Sequence, residues 1–542
     1  MTIPDTPELP AWVDNGAKSI RGLDLLGLRA PAQALSNHLI DGATTVTPAV
    51  RYLAMRAWIV RTYWEQRRPD RLKDFNDWAG RVEAAFVLAN RVRRWGTASL
   101  VGAEEAGRLL SGEADPVTVK TLVKSPAATI YGVPSDQLGL SAPKPETGVP
   151  RLSEERGLPL SAAFSARLGR VDVGAQISSE GPPENLSRAD LEQLASVVWL
   201  EDIPEDERAA LVDAIVPEAP RNAQEVRRVA TYGLLLAIAD RMRRAPTMWD
   251  VLDHVAGGDT PVPQAELQVI VDGWTLYAVR DVLAAGHEAV LQQAVRSLAN
   301  LGGEDRSFVT PEASVEWLLG RHEEVTGLLE ELGILESGVD WTRLKWSDLV
   351  GAVDSDLGPP DARRGLARWG SALTEPRLAH LALTSGAGAL PALAVSWLVV
   401  DRRSAPGIEA RRPEFAWLSR AGWSRIGVSQ VVRPMLASLD VDDPPLPEAL
   451  ARLTVRTVDQ HTRVAWTRLA EDPRRDVTVI VSDGDRWALR RNYAAGRTNS
   501  RLGVALGWLN QLGLVAPSGV SATGAAVLER ACNVLRATPV QL

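Results

Sequence analysis

The stretch from Gly496 to Ala531 constrains the fold most, because several local signals agree within it. Its apolar residues recur at three- and four-residue spacing, which predicts a helix with one buried face. The residues on that face are Leu502, Ala505, Leu506, Leu509 and Leu512. Gly513 then predicts a left-handed cap that ends the helix. A strand, a glycine-containing tip and a returning strand are predicted over LVAPSGV, and Thr523-Gly524 opens a last helix.

The residues before this stretch predict three further elements. Apolar spacing favours a first helix over about 456–470, which Pro473 closes. A strand at 477–481 and a short helix over about 485–495 are the preferred interpretation of the next segment. The alternative is a β-hairpin that turns at Asp483-Gly484, since the segment is β-branched and Asp-Gly is a strong hairpin signal. The third helix begins near one of three candidate capping residues, which are Thr498, Asn499 and Ser500.

The order helix, helix, helix, two-stranded wing, helix over about 456–542 resembles the winged-helix superfamily. The residues that carry the resemblance are the run L..LGLV....V..TG...L. The resemblance covers less than a fifth of the chain, and winged helices serve both as readers of DNA and as protein-docking units. It therefore implies a fold and leaves two functions open.

The resemblance to DNA-reading winged helices implies that the third helix enters the major groove of duplex DNA. The candidate DNA-binding residues are Arg490, Arg491, Arg497, Ser500 and Arg501, with Arg501 toward a base edge and the other arginines toward phosphates. Residues 456–542 hold 12 Arg, no Lys and 7 acidic residues, a local charge of +5 in a chain of −8. Positive charge is thus concentrated where a nucleic-acid site needs it.

The alternative is that the same helix docks a protein. Its predicted outward strip includes Gly503, Val504, Gly507 and Trp508, and a large aromatic residue is unusual on a helix that reads a groove. Each glycine destabilises a helix by about 1 kcal/mol relative to alanine, so a close approach by DNA or by another helix is expected there. The partners left open are duplex DNA, partner protein subunits and a second copy of the chain.

An echo of this stretch lies near the N-terminus. DQLGLSAP at 136–143 matches NQLGLVAP at 510–517 in six of eight positions. We interpret the echo as a second winged-helix-like unit near 100–170. Chance similarity is the alternative, because ELGIL at 331–335 shows the same helix ending and such endings are common capping chemistry.

The chain as a whole has an ordinary globular composition of 542 residues, 45% hydrophobic and 24% charged. Long amphipathic segments predict a mainly α, multidomain fold of helical bundles, in which the segment 263–300 is a broken helix. Residues 173–188 are the best linker. The predicted domains are an N-terminal helical domain, a central helical domain, a helical block and the winged-helix domain, at 1–172, 189–352, 361–439 and 448–542.

Sequence motifs for catalysis are absent. The chain contains no phosphate-binding G-x-x-x-x-G-K-[ST], no G-x-G-x-x-G, no H-E-x-x-H, no C-x-x-C and no G-x-S-x-G. No catalytic residue, metal ligand or cofactor is therefore assigned. An enzyme whose site is built from scattered acids is the remaining alternative, and it predicts a deep pocket with converging acids or histidines.

The composition also bears on the cellular setting. The single cysteine, Cys532, suits a reducing cytosol, and no signal peptide is seen, so we expect a cytoplasmic protein. Segment 381–400 is uncharged, but Gly386, Gly388 and Pro391 interrupt it, which favours two buried half-helices over a membrane span. Arginine-rich, lysine-poor usage is typical of GC-rich coding sequences.

These observations lead to one preferred hypothesis and two alternatives. The preferred one is a bacterial-type, non-enzymatic scaffold that binds DNA through its C-terminal winged helix. The alternatives are a docking subunit of a larger complex, such as a regulatory or mobile-element defence assembly, and an enzyme with an unrecognised site.

Overall fold

The computed structural model describes residues 24–93, 100–112, 115–257, 263–303, 307–357, 375–404, 426–472, 474, 476–497 and 500–541. Helices dominate this part of the chain, and its sheets are four antiparallel pairs of short strands. The prediction of a mainly α, multidomain protein is confirmed. The capping candidates Thr498 and Asn499 lie outside the described residues, as does much of the predicted block at 361–439.

The described residues of the N-terminal third are mainly helical. Its helices are Arg29–Leu39, Tyr52–Glu65, Leu72–Val92, Ala103–Leu110, Ala127–Ile130, Gly132–Gln137, Gly157–Leu168 and Asp172–Glu180. Strand Val117–Thr118 pairs with Asn185–Leu186, and Ser141–Pro143 pairs with Pro150–Leu152.

The described residues of the central part are mainly helical. Its α-helices are Arg188–Val198, Glu205–Ile215, Ala223–Met242, Met248–Gly257, Gln268–Leu301, Pro311–Leu319, His322–Glu331, Trp346–Leu357, Glu375–Thr384, Ala389–Ser404, Arg433–Asp442 and Leu446–Glu471. Short 3-10 turns lie at Ala265–Leu267, Trp341–Arg343 and Gly386–Gly388, and a π-helical turn lies at Val428–Val432.

The C-terminal part contains two hairpins and two helices. The first hairpin is Ile480–Asp483 with Arg486–Leu489, and the second is Val515–Ala516 with Gly519–Val520. The helices are Arg501–Gln511 and Ala522–Ala537.

Two hydrophobic cores organise the described residues. The first is built from residues between 32 and 278 together with 502–540. The second is built from 25–28 and residues between 279 and 493. The cores therefore do not coincide with the four predicted domains. Segment 448–542 in particular is divided, since its first helix and first hairpin join the second core and the remainder returns to the first.

Helix Gln268–Leu301 contributes to both cores and is unbroken over 34 residues, about 51 Å. The prediction of a broken helix is wrong. Its glycines admit close neighbours: a Cβ at Gly273 would lie 2.5 Å from Leu39 Cδ2, and one at Gly286 would lie 3.0 Å from Ser396 Oγ. Glycine here serves close helix packing and does not end the helix.

Three further predictions can be compared with the structure. Segment 381–400 is two buried helical pieces separated by the turn Gly386–Gly388, as expected, and no described helix is long and apolar enough to span a bilayer. The helix predicted at 485–495 is wrong, because the segment forms the alternative hairpin with Gly484 at φ +59°. The predicted linker at 173–188 overlaps helix Asp172–Glu180, so its first part is helical.

Candidate functional site

The sequence echo marks two units with the same local structure. The first unit is residues 131–168 and the second is residues 501–537. Each consists of a helix, a two-stranded hairpin and a second helix. Both first helices end on a left-handed glycine, Gly139 at φ +70° and Gly513 at φ +67°, as predicted for Gly513.

The backbone hydrogen bonds of the two units correspond closely. Leu140 N–H donates to Ser135 O at 2.8 Å, and Leu514 N–H donates to Leu509 O at 2.9 Å, which is the same helix-ending bond in both units. After each hairpin a serine N–H returns to the leucine carbonyl: Ser153 to Leu140 O and Ser521 to Leu514 O, both at 3.0 Å.

The helix that follows each hairpin is tied to the same serine. Ser153 Oγ accepts the N–H of Gly157 at 2.9 Å, and Ser521 Oγ accepts that of Gly524 at 3.0 Å. A Cβ on either glycine would collide with the carbonyl oxygen of the leucine in its own unit, Leu140 or Leu514. The glycines are thus required by close backbone approach, and the sequence match reflects a shared local structure.

The two units hold one piece of backbone between them, residues 40–50, which we term the clasped segment. From the first unit, Gln137 Oε1 accepts the N–H of Gly42 at 2.9 Å, and the hydroxyl of Tyr131 accepts the N–H of Ala49 at 3.0 Å. These bonds satisfy backbone donors of a segment that has no regular secondary structure over most of its length.

The second unit holds the same segment from its first helix, Arg501–Gln511. Gln511 Oε1 accepts the N–H of Val50 at 2.9 Å, and its Nε2 donates to Pro48 O at 2.7 Å. The indole N–H of Trp508 donates to Thr47 O at 2.9 Å. The corresponding glutamines of the two units, Gln137 and Gln511, therefore each accept a backbone N–H of the clasped segment.

Trp508 is fully buried, at 0% exposure. The sequence placed it on an outward strip, and that placement is wrong, because the clasped segment covers this face of the helix. Gly503 is exposed and Val504 and Gly507 are half-buried. Added Cβ atoms at the two glycines would meet nothing closer than 3.9 Å, so neither is required by a close intramolecular contact.

Two of the arginines predicted to bind phosphates are engaged elsewhere. Arg490 is 4% exposed, and its Nη2 lies 2.7 Å from Asp476 Oδ2. Arg491 binds the same carboxylate oxygen at 3.0 Å. Burial opposes ionisation of Asp476, but hydrogen bonds from Thr478 and both guanidinium groups outweigh it and lower the pKa of that carboxyl.

The other three predicted residues lie at the boundary with the remainder of the chain. Arg497 pairs with Asp281 at 2.7 Å and stacks over the Trp249 ring at 4.0 Å. Arg501 is half-buried, and burial lowers its pKa. Ser500 is 4% exposed and precedes the helix. The five predicted DNA-binding residues do not form one exposed basic surface.

The positive charge of the C-terminal segment instead meets negative charge from earlier parts of the chain. Arg530 Nη1 lies 2.7 Å from Asp213 Oδ1, and Arg536 pairs with Glu266. With Arg497 and Asp281, these pairs join residues separated by more than 200 positions. These three arginines therefore serve contacts within the molecule.

The sequence analysis missed two exposed arginines beside the second hairpin. Gly519 of that hairpin packs against the end of helix Ala223–Met242, where a Cβ would lie 3.0 Å from Arg243 Cα. Arg241 and Arg243 are exposed there and form no ion pair with any described residue. The signal was the run RMRR at 241–244, which comes soon after the apolar run GLLLAIA at 233–239.

Glu83 positions the helix that leads into the first unit. Its two carboxylate oxygens accept the N–H groups of Ala127 and Ala128 at 2.6 and 2.7 Å. Burial raises the pKa of Glu83 to about 7, against the lowering effect of these two hydrogen bonds.

The two buried histidines of the second core have structural roles. His287 Nε2 accepts from Trp397 Nε1 at 2.9 Å, and its Nδ1 lies 2.8 Å from Thr457 Oγ1. His461 Nε2 accepts the N–H of Val479 at 3.1 Å. Burial lowers the pKa of His287 to about 3 and that of His461 to about 4, so both are neutral at pH 7.

Within the described ranges, no three or more His, Cys, Asp or Glu side chains are grouped to hold a metal ion. Comparison of the chain with protein-family models, with curated proteins and with solved structures finds no match. The function is therefore argued from the geometry of this molecule.

Proposed function

We propose that this chain is a protein-docking scaffold, a subunit of a larger assembly, in which two winged-helix-like units act as protein-binding modules. The observation that carries the proposal is the contact between the second unit and the clasped segment. Trp508 and Gln511 occupy the helix face that a DNA-reading winged helix would turn to the groove, and here they bind residues 47–50 of the same chain.

The distribution of charge supports the same proposal. Arg490, Arg491 and Arg497 are paired with carboxylates, so neutralising DNA phosphates with them would require breaking those pairs. Removing a partner from a buried ion pair typically costs about 3–5 kcal/mol. The part of the first helix that stays accessible carries Gly503 and Val504, which suits packing against another protein.

DNA binding is the second candidate, and one observation favours it. Arg241 and Arg243 are exposed and unpaired among the described residues, and they lie beside the hairpin that corresponds to the wing of a winged helix. Two arginines provide few phosphate contacts, so this candidate predicts weak association with duplex DNA that falls only moderately with salt.

The experiment that separates the candidates is size-exclusion chromatography of native cell extract, with the chain detected by antibody, before and after nuclease treatment. The docking proposal predicts an assembly well above the 58.6 kDa of the chain that nuclease does not change. A particle that nuclease reduces to the free chain supports DNA binding instead. A free chain in untreated extract contradicts the docking proposal.

A direct assay of DNA binding complements it. Purified wild type and an Arg241→Ala/Arg243→Ala variant are titrated with a mixed-sequence duplex at two salt concentrations. Measurable binding that is lost in the variant and falls with salt would favour the second candidate. Equal and negligible binding by both proteins is the result that the docking proposal predicts.

A further inference from the structure

A second surface of the scaffold has the form of a helix-binding groove. An open groove of about 850 Å³ lies between helix Pro311–Leu319 and the start of helix Leu446–Glu471, with the turn at Trp341 as part of its lining. Val315 is 5% exposed and Trp341 is 2% exposed, and Trp341 belongs to the second core. Half-buried Val455 completes an apolar floor.

The rim of this groove is acidic. Glu312 and Glu316 are exposed on one helix, four residues apart, and neither forms an ion pair with a described residue. Like charges at this spacing destabilise a helix by roughly 0.2–0.5 kcal/mol. Glu448 stands on the other helix, and Arg452 is shared between Glu448 and Asp442, each at 2.6 Å. The groove lining thus carries three carboxylates and one guanidinium that is already paired.

We infer that this groove binds a basic amphipathic helix of a partner protein. The inference rests on the proposed docking function and names the partner's chemistry: apolar side chains toward the floor, and lysines or arginines toward Glu312 and Glu316. The walls are two helices, and none of the described strands contributes to the lining. The groove can therefore bind a partner through apolar packing and charge, and its lining provides no strand edge with which an added strand could pair.

The size of the groove agrees with one short helix. A helix with side chains is about 11 Å across, so half of its cross-section is roughly 50 Å². Dividing the groove volume of about 850 Å³ by this area gives about 17 Å of helix lying half inside the groove, or roughly 11 residues. Three apolar anchors at i, i+3 or i+4, and i+7 fit this length, and the acidic rim selects the sign of the flanking charges.

The test uses two fluorescein-labelled 14-residue peptides with the same leucine positions, one with lysines and one with glutamates at the remaining positions. Their binding to the purified full chain is followed by fluorescence anisotropy at about 50 and 300 mM salt. The lysine peptide is expected to bind and the glutamate peptide is not. Affinity for the lysine peptide falls with salt, because the rim charges are exposed and screened.

Two variants assign the binding to the groove. Glu312→Gln/Glu316→Gln is expected to lower the affinity for the lysine peptide at least fivefold. Ala451→Arg, which fills the groove, is expected to abolish binding. Glu192→Gln/Glu201→Gln removes two exposed carboxylates elsewhere and is the matched control, with affinity within twofold of wild type. Circular dichroism verifies that all variants are folded.

Equal weakening by the control pair would overturn the inference, since it would show attraction to the net negative charge of the chain. Unchanged binding by the groove variants would also overturn it. The inference would also be overturned if the wild type were a dimer and the Glu312→Gln/Glu316→Gln variant a monomer, because the groove would then be an interface between copies. A nuclease-resistant assembly in extract with no peptide binding would leave the docking proposal standing and refute only this groove.

Discussion

Replacing Trp508 with alanine tests whether the second unit is held against the clasped segment. A fully buried tryptophan removes roughly 150–250 Å² of its surface from water. Burial contributes about 25 cal/mol per Å², so the upper value of its contribution to the free energy of unfolding is roughly 4–6 kcal/mol. Measured Trp→Ala changes in cores are about 3–5 kcal/mol. The buried Thr47 carbonyl also loses its donor. We expect Trp508→Ala to lower the free energy of unfolding by about 4 kcal/mol.

The assay is urea denaturation followed by circular dichroism, because removal of a tryptophan alters fluorescence directly. Trp508→Phe keeps one aromatic ring but loses the N–H donor and the second ring of the indole, so it should cost roughly 2 kcal/mol, less than Trp508→Ala. Trp466→Ala is the matched control. Trp466 is 58% exposed, and its removal should change stability by less than about 0.5 kcal/mol. If Trp508→Ala costs no more than Trp466→Ala, the helix does not dock on residues 47–50 and the reasoning is refuted.

Three further predictions concern the same contacts. Gly157→Ala should destabilise the fold by about 1–3 kcal/mol, because the added Cβ collides with a carbonyl oxygen. Gly507→Ala, at an open position, should be neutral or stabilising by up to about 1 kcal/mol. Thermal denaturation measures the stability of both variants against wild type. Asp476→Ala leaves Arg490 buried without its carboxylate and should cost about 3 kcal/mol in urea. Burial raises the pKa of native Glu83 from 4.5 to about 7. The protonated side chain therefore contributes its full stabilisation below pH 4.5, and the free energy of unfolding falls by about 3 kcal/mol as pH rises from 4.5 through 7. Glu83→Gln should flatten the dependence of the free energy of unfolding on pH over that window.

Local features were predictable where neighbouring residues determine them. Gly513 ends its helix as a left-handed cap, and the interruptions at Gly386 and Gly388 divide segment 381–400 as expected. The six-residue echo predicted a shared local structure, since a helix ending, a hairpin and a capped helix are all encoded within about thirty residues.

Features that depend on distant residues were not predictable. Helix Arg501–Gln511 is apolar on more than one side, so a helical wheel does not reveal that residues 47–50 cover Trp508. The pairing of Arg490 with Asp476, and of Arg497 with Asp281, likewise requires knowledge of the packing. The wrong helix prediction at the 480–489 hairpin has a different cause. The β-branched residues and the Asp-Gly signal for a hairpin are both present in the sequence, but the helix was the preferred interpretation.

The central claim is that two equivalent units hold residues 40–50 between them, and amide hydrogen exchange measures this most directly. Exchange of peptides covering the clasped segment is compared in wild type, Gln137→Ala and Gln511→Ala by mass spectrometry. The account predicts protection of the Gly42 and Val50 amides in wild type, loss of protection at Gly42 in Gln137→Ala, and loss at Val50 in Gln511→Ala. Exchange of both amides at the rate of an unstructured peptide in wild type would contradict it.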